Sequence, residues 1–120
     1  MATQSTQAYP QALVTATIAN AASLSDAIDL QGGRAVAIRM PAAWTAAVLT
    51  FQGSEDDSNY ADIYTAGGVE LQCAAAASRW IILEPQFFLG CRYLKIRSGT
   101  SGTPAAQGAA RSLVVVAQIG

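Results

Sequence analysis

Over residues 34–40 the chain alternates, with Arg34, Val36, Ile38 and Met40 on one side and Ala35, Ala37 and Arg39 on the other. A period of two is the pattern of a strand with one buried face. The same alternation sets Leu49 and Phe51 opposite Val48, Thr50 and Gln52, and sets Leu94 and Ile96 opposite Tyr93, Lys95 and Arg97. Further strand-like runs cover 12–19, with Val14, Ala16 and Ile18 on one face, and 24–30, 60–64, 69–73, 79–83 and 112–118. Between them stand turn-forming groups such as Gln31-Gly32-Gly33, Met40-Pro41, Ser58-Asn59, Ala66-Gly67-Gly68 and the Ser/Gly/Thr/Pro run at 98–104. Short strands punctuated this regularly predict an all-β fold, an antiparallel β-sandwich of about eight strands.

Helical readings are weaker. The alanines at 74–77 favour a helix by propensity, but no apolar stripe at three-and-four spacing accompanies them, so one short turn is expected there. The alanine-rich stretch 105–110 follows Pro104 and is broken by Gly108, which predicts a loop.

A chain of 120 residues suits one domain with a single core. Residues 1–11, MATQSTQAYPQ, are polar and are expected to form a flexible N-terminal arm, leaving 12–120 as the sandwich. The arm carries neither a basic residue nor an apolar core segment, so no secretory signal is expected, and the protein is expected to stay inside the cell that makes it or to leave by lysis. Seven basic residues against eight acidic ones provide no field for phosphates, which argues against nucleic acid as a partner. Apolar runs are interrupted well short of the roughly 18 residues of a membrane-spanning helix, so no membrane is expected either.

Candidate chemistry is sparse. The chain has no histidine, which removes the usual general base, the commonest zinc ligand and the Ser/His and Cys/His pairs. Glu84 stands alone before Pro85, and the other carboxylates cluster in a turn-like segment, so the protein is read as not an enzyme. Cys73 and Cys91 are expected as buried thiols and not as a bridge. Arg79, Arg92, Lys95, Arg97 and Arg111 are expected on solvent faces.

The acidic segment FQGSEDDSNYADIYTAGG, residues 51–68, raises the question of calcium, with Asp56, Asp57, Asn59 and Asp62 as candidate ligands. Calcium loops need oxygen ligands at alternate positions and a glycine at the bend, as in D-x-[DN]-x-[DN]-G. From Asp57 the fifth position is Ala61 and Asp62 stands where the glycine belongs, while from Asp56 the third and fifth are Ser58 and Tyr60. No metal or other cofactor is therefore expected, and 54–59 is read as a solvated turn whose short polar side chains bond their own backbone.

Large aromatics sit in two connections, Trp44 after Pro41 and Phe87 and Phe88 after Pro85. They are expected either to plug an end of the sandwich or to contact another chain. Tyr9 and Pro10 in the arm join Trp44, Phe87 and Phe88 as interface candidates, the arm ordering across a neighbouring subunit. A second reading gathers Tyr60, Tyr64, Trp44 and the acids of 55–62 into a glycan-binding site.

From about residue 30 onward the order of features carries a resemblance. A Pro and Trp precede a strand, which ends in TFQGSED, and a Tyr-rich strand follows. Then come the corner LEPQFFLG, the strand YLKIRSGT and a closing Q-A-R before the last strand. This succession resembles small structural proteins encoded beside the capsid genes of tailed bacteriophages and prophages. The resemblance implies a jelly-roll-like sandwich in the virion, assembled in the host cytoplasm, that decorates or cements the capsid or forms a head-fibre base. It also implies the major capsid protein and copies of the same chain, as a trimer or dimer, for partners. A neck or tail component and a carbohydrate-binding adhesin module are the alternatives.

Overall fold

The computed structural model describes residues 11–119. Tyr9, Pro10 and all of the arm except Gln11 lie outside the described residues. The strands are β1 (Gln11–Ile18), β2 (Ile28–Asp29), β3 (Arg34–Arg39), β4 (Leu49–Ser54), β5 (Ala61–Asp62), β6 (Gln72–Cys73), β7 (Trp80–Ile82), β8 (Tyr93–Ser98) and β9 (Arg111–Gln118), with a 3₁₀ turn at Pro85–Phe88. Each stretch with strand periodicity holds one of them. The alanines at 74–77 form no helix, and 105–110 is a loop.

Pairing follows a simple rule. β1 pairs with β9, β2 with β8, β3 with β7 and β4 with β5, all antiparallel. The chain is thus one long ribbon folded back on itself, and its tip is the acidic segment between β4 and β5. The ribbon is rolled so that successive rungs fall in alternate layers. Sheet I has the order β1-β9-β3-β7, and sheet II the order β2-β8-β4-β5, with β6 added alongside β4. The β3·β9 and β4·β8 ladders join rungs within each layer.

The two inner faces meet in one core. Ile18, Ile38, Leu113 and Val115 from sheet I pack toward Leu49, Phe51, Leu94 and Ile96 from sheet II. The alternation in β4 and β8 is read correctly from the sequence, but in β3 it shifts. Ala35 pairs with Ala117 and Ala37 with Val116, so Val36 is an extra residue, a β-bulge. Its carbonyl accepts the N–H of Leu83 at 3.0 Å. Beyond a bulge the side-chain parity inverts, so Ala35 and Ile38 both enter the core while Val36 is only half-buried.

The loops at one end are tied by Gln107, which is fully buried. Its amide donates to the Thr45 carbonyl at 3.0 Å and the Ser98 hydroxyl at 2.6 Å. Its carbonyl oxygen accepts the Thr45 N–H at 2.9 Å and the Arg111 Nε–H at 3.0 Å. Gln107→Leu keeps the volume but takes the amide donor from the buried Ser98 hydroxyl and frees the more exposed Thr45 and Arg111, so a loss of about 2 kcal/mol is expected. Urea unfolding of the variant against wild type measures it, and an unchanged midpoint would mean that water replaces the amide.

Candidate functional site

The tip of the ribbon is held by one carboxylate. Asp56 Oδ1 accepts the N–H groups of Ser58 and Asn59, each at 2.9 Å, and the Ser54 hydroxyl at 3.0 Å. Its Oδ2 accepts from the Asn59 side chain at 2.7 Å. The two backbone N–H groups, then the Asn59 amide and the Ser54 hydroxyl, hold the Asp56 carboxyl far below the usual carboxylate range. Its lone pairs serve the turn, as expected of short polar residues that bond their own backbone. Tyr60 donates its hydroxyl to Asp57 Oδ1, and Lys95 Nζ lies 4.3 Å from the Tyr60 ring centroid. Burial first, and then the bond to Asp57, raises the Tyr60 hydroxyl above its ordinary range.

Asp62 does not join this turn. It lies on the outer face of sheet II and accepts a 2.6 Å bond from Nη2 of Arg97, whose Nη1 reaches Glu70 at 3.4 Å and the Thr50 hydroxyl at 3.3 Å. Arg97 is buried, not projecting into solvent as its alternation with Leu94 and Ile96 implied. Glu70 also accepts the Ser101 N–H, and the Thr50 hydroxyl donates to the Gly99 carbonyl at 2.7 Å. One guanidinium therefore joins β4, β5, β8 and two connecting segments. Arg97 above all, with help from Gln52, lowers the Asp62 carboxyl. The four calcium candidates are thus divided between two networks, and no cluster of three or more His, Cys, Asp or Glu suited to a metal occurs among the described residues.

Both cysteines are free thiols, as expected. Burial pushes Cys73 up to about 11, and it also raises Cys91, which donates to the Tyr93 carbonyl at 2.9 Å. Neither forms much thiolate at neutral pH, so neither is a ready nucleophile. Cys73 borders a cavity of about 80 Å³ among Phe51, Leu71, Leu83, Phe87 and Phe88. Its wall is mostly apolar, with Gln72 and Glu84 as its charged or amide-bearing members.

The interface candidates separate by depth. Phe88 lies inside the core, edge-on to Phe51 with centroids 5.3 Å apart, and presents no surface to another chain. Phe87 and Trp44 are half-buried against the same core, and Trp44 donates its indole N–H to the Ala47 carbonyl at 3.1 Å. Phe88 acts from within the sandwich, while Trp44 and Phe87 close its end and keep part of their surface exposed. Trp44 precedes β4 and Tyr60 follows the turn at its far end, so six strand residues, about 20 Å, separate them. Trp44 and Tyr60, two of the three aromatic groups of the glycan reading, therefore do not converge.

Among the described residues Tyr64, Val69 and Leu89 are exposed singly in connecting segments, whereas three other exposed apolar side chains share one sheet. Leu13, Trp80 and Ile82 are 70, 52 and 75% exposed, all on the outer face of sheet I. Register places Leu13, Val116, Ala37 and Ile82 in one row across the four strands, and Thr15, Val114, Arg39 and Trp80 in the next. Val116 and Ala37 are buried between the projecting Leu13 and Ile82, giving a shallow apolar trough. The Arg39 guanidinium lies 5.7 Å from the Trp80 ring centroid. The four strands carry Arg34, Arg39 and Arg111 and no carboxylate, whereas Asp29, Asp62 and the acidic tip belong to sheet II. The sequence held one signal of this face: Trp80 and Ile82 are large and apolar on the side of their strand opposite the half-buried Ile81, where a half-buried strand is normally polar.

No helix among the described residues is long and apolar enough to cross a membrane. No protein-family model, curated protein or solved structure matches the chain.

Proposed function

We propose that the chain is a non-enzymatic structural protein of a tailed-phage virion, which binds the capsid surface as a decoration or cement protein or as a head-fibre base. The observation that carries this reading is the outer face of sheet I, where Leu13, Trp80 and Ile82 are exposed around an apolar trough on strands that bear arginine and no carboxylate. Such a face suits a protein surface that is apolar at its centre and acidic at its edge. Several side chains capable of chemistry are engaged structurally: Asp56 in its turn, Asp62 and Glu70 on Arg97, and both thiols half-buried. The rolled ribbon, with β6 as an addition to eight strands in two sheets, supports the jelly-roll form implied by the sequence resemblance.

The test is reconstitution. Shells of the major capsid protein made without this chain are mixed with the purified protein and sedimented. Wild type is expected to co-sediment in a fixed number per capsomer, and Ile82→Lys, which alters only an exposed position, to bind at least about tenfold more weakly, a loss of about 1.4 kcal/mol. Shells that pellet without the protein, or density for it only at the neck or tail of the intact particle, would remove the capsid assignment.

A further inference from the structure

We infer that β1 is a strand-addition edge through which two copies of the chain pair antiparallel, joining their first sheets into one of eight strands. This names the surface behind the homo-oligomer expected above and rests on that part of the reading alone. Among the described residues β1 has β9 as its only strand partner and lies at the edge of sheet I. The direction of its free groups follows from Thr17, whose N–H donates to Asp26 Oδ1 at 2.9 Å and whose carbonyl accepts the Asp26 N–H at 3.1 Å. Thr17 is therefore turned away from β9. Because backbone groups alternate along an antiparallel ladder, Thr15 and Leu13 are turned the same way, and neither has a hydrogen-bond partner on that side among the described residues.

Asp26 caps the edge at Thr17 and leaves the segment before it open. Among the described residues the devices that normally protect an edge are missing there. β1 is eight residues long, has no charge, no proline and no bulge, and is rich in Thr, Val and Ile. The other outer strands differ. β7 is three residues long, with Arg79 beside it and Arg39 opposite Trp80, and β2, β5 and β6 are two residues each.

The occupant that fits is a second copy, because the segment is complementary to itself. With the two-fold axis at Leu13, each Leu13 faces its counterpart and each Gln11 faces Thr15 of the other copy. Apolar meets apolar, amide meets hydroxyl, and no like charges approach. Such pairing forms roughly six backbone hydrogen bonds, two for each bonded pair. It also extends the row of Leu13, Val116, Ala37 and Ile82 across both copies and covers a leucine that is 70% exposed in one. An edge of about five residues, ~17 Å long, is a small interface, so the isolated dimer belongs to the weak class, with Kd of roughly 10–100 μM.

Sedimentation equilibrium of the full chain tests this, together with hydrogen exchange at low and high protein concentration. Wild type is expected to approach twice its 12.4 kDa mass as concentration rises, with the Leu13 and Thr15 amides gaining protection while that of Thr17, already bonded to Asp26, stays constant. Leu13→Lys and Thr15→Lys, both at exposed positions, are expected to remain monomeric with unchanged melting, and Ile82→Lys to dimerise like wild type. Self-association that survives both β1 variants, or that only Ile82→Lys abolishes, would overturn this interface and leave the homo-oligomer reading standing. A wild-type chain monomeric at millimolar concentration would overturn both, and binding to capsid shells remains a separate measurement.

Discussion

Phe88→Ala is expected to cost about 3–5 kcal/mol, enough to lower Tm by more than about 10 °C in a domain of this size. The phenyl ring is almost fully buried, set edge-on to Phe51 at an interplanar angle of 87°. Truncation removes the aromatic pair and leaves a cavity beside the space already lined by Leu71, Leu83 and Cys73. The walls are strands of two sheets already bound to their neighbours, so collapse into the hole is limited. Phe87→Ala, half-buried against the same core, is expected to cost less than half as much. Leu89→Ala, at an exposed position, is expected to fall within about 0.5 kcal/mol of wild type. Thermal melts of the three variants give the ordering. If Phe88→Ala melted within a degree or two of wild type, the ring would not be a core anchor.

Arg97→Met carries the second largest effect, a loss of about 3 kcal/mol at neutral pH, the low end for breaking a buried ion pair because Asp62 keeps some contact with water. Removing the guanidinium leaves two carboxylates, Asp62 and Glu70, close to buried backbone without a counter-charge. Repair of the charge tests the cause. Arg97→Met combined with Asp62→Asn and Glu70→Gln is expected to recover much of the loss, because replacing a whole buried ionic group costs far less than removing one member.

The effect depends on pH in a defined direction. Arg97 holds the folded-state Asp62 carboxyl below its unfolded value. Its contribution is therefore fully present above the unfolded pKa of about 4 and is lost as pH falls through the lower folded value. The difference in stability between wild type and Arg97→Met should be largest near pH 7 and shrink below about pH 4. Urea unfolding at pH 7 and pH 3 measures both ends, and a constant difference would assign the loss to packing of the arginine stem.

Much of the fold was legible because strand periodicity is a local property. Leu49 and Phe51, and Leu94 and Ile96, lie two residues apart and both pairs enter the core, since successive side chains on a strand must point to opposite faces. The tip was legible for a similar reason: Ser54, Asp56 and Asn59 are close enough in sequence to bond one another's backbone wherever the chain places them. Where a second strand decides the outcome, alternation failed. Nothing near Val36 marks a bulge, because the extra residue exists only relative to β9, and it exchanged the core roles of Ala35 and Val36.

The candidate site was less legible still. Arg97 reads as a solvent-facing residue by parity, and it does lie on the outer face of sheet II, but Glu70 and Asp62, which cover it, arrive from 27 and 35 residues away. Gln107 gives no sign in the sequence of its bonds to Thr45, 62 residues distant. Leu13 and Ile82 share one row only because β9 and β3 lie between their strands.

By itself, then, the sequence determined where strands and turns fall, which faces of β4 and β8 are apolar, and that the acidic tip bonds to itself, because each depends on residues within a few positions of one another. Only the tertiary structure decided how the ribbon rolls into two sheets, that Phe88 is core and Arg97 is buried, and that exposed apolar residues from the two edge strands share one outer face. Those outcomes depend on pairing and burial between segments far apart in the chain, for which local periodicity carries no information.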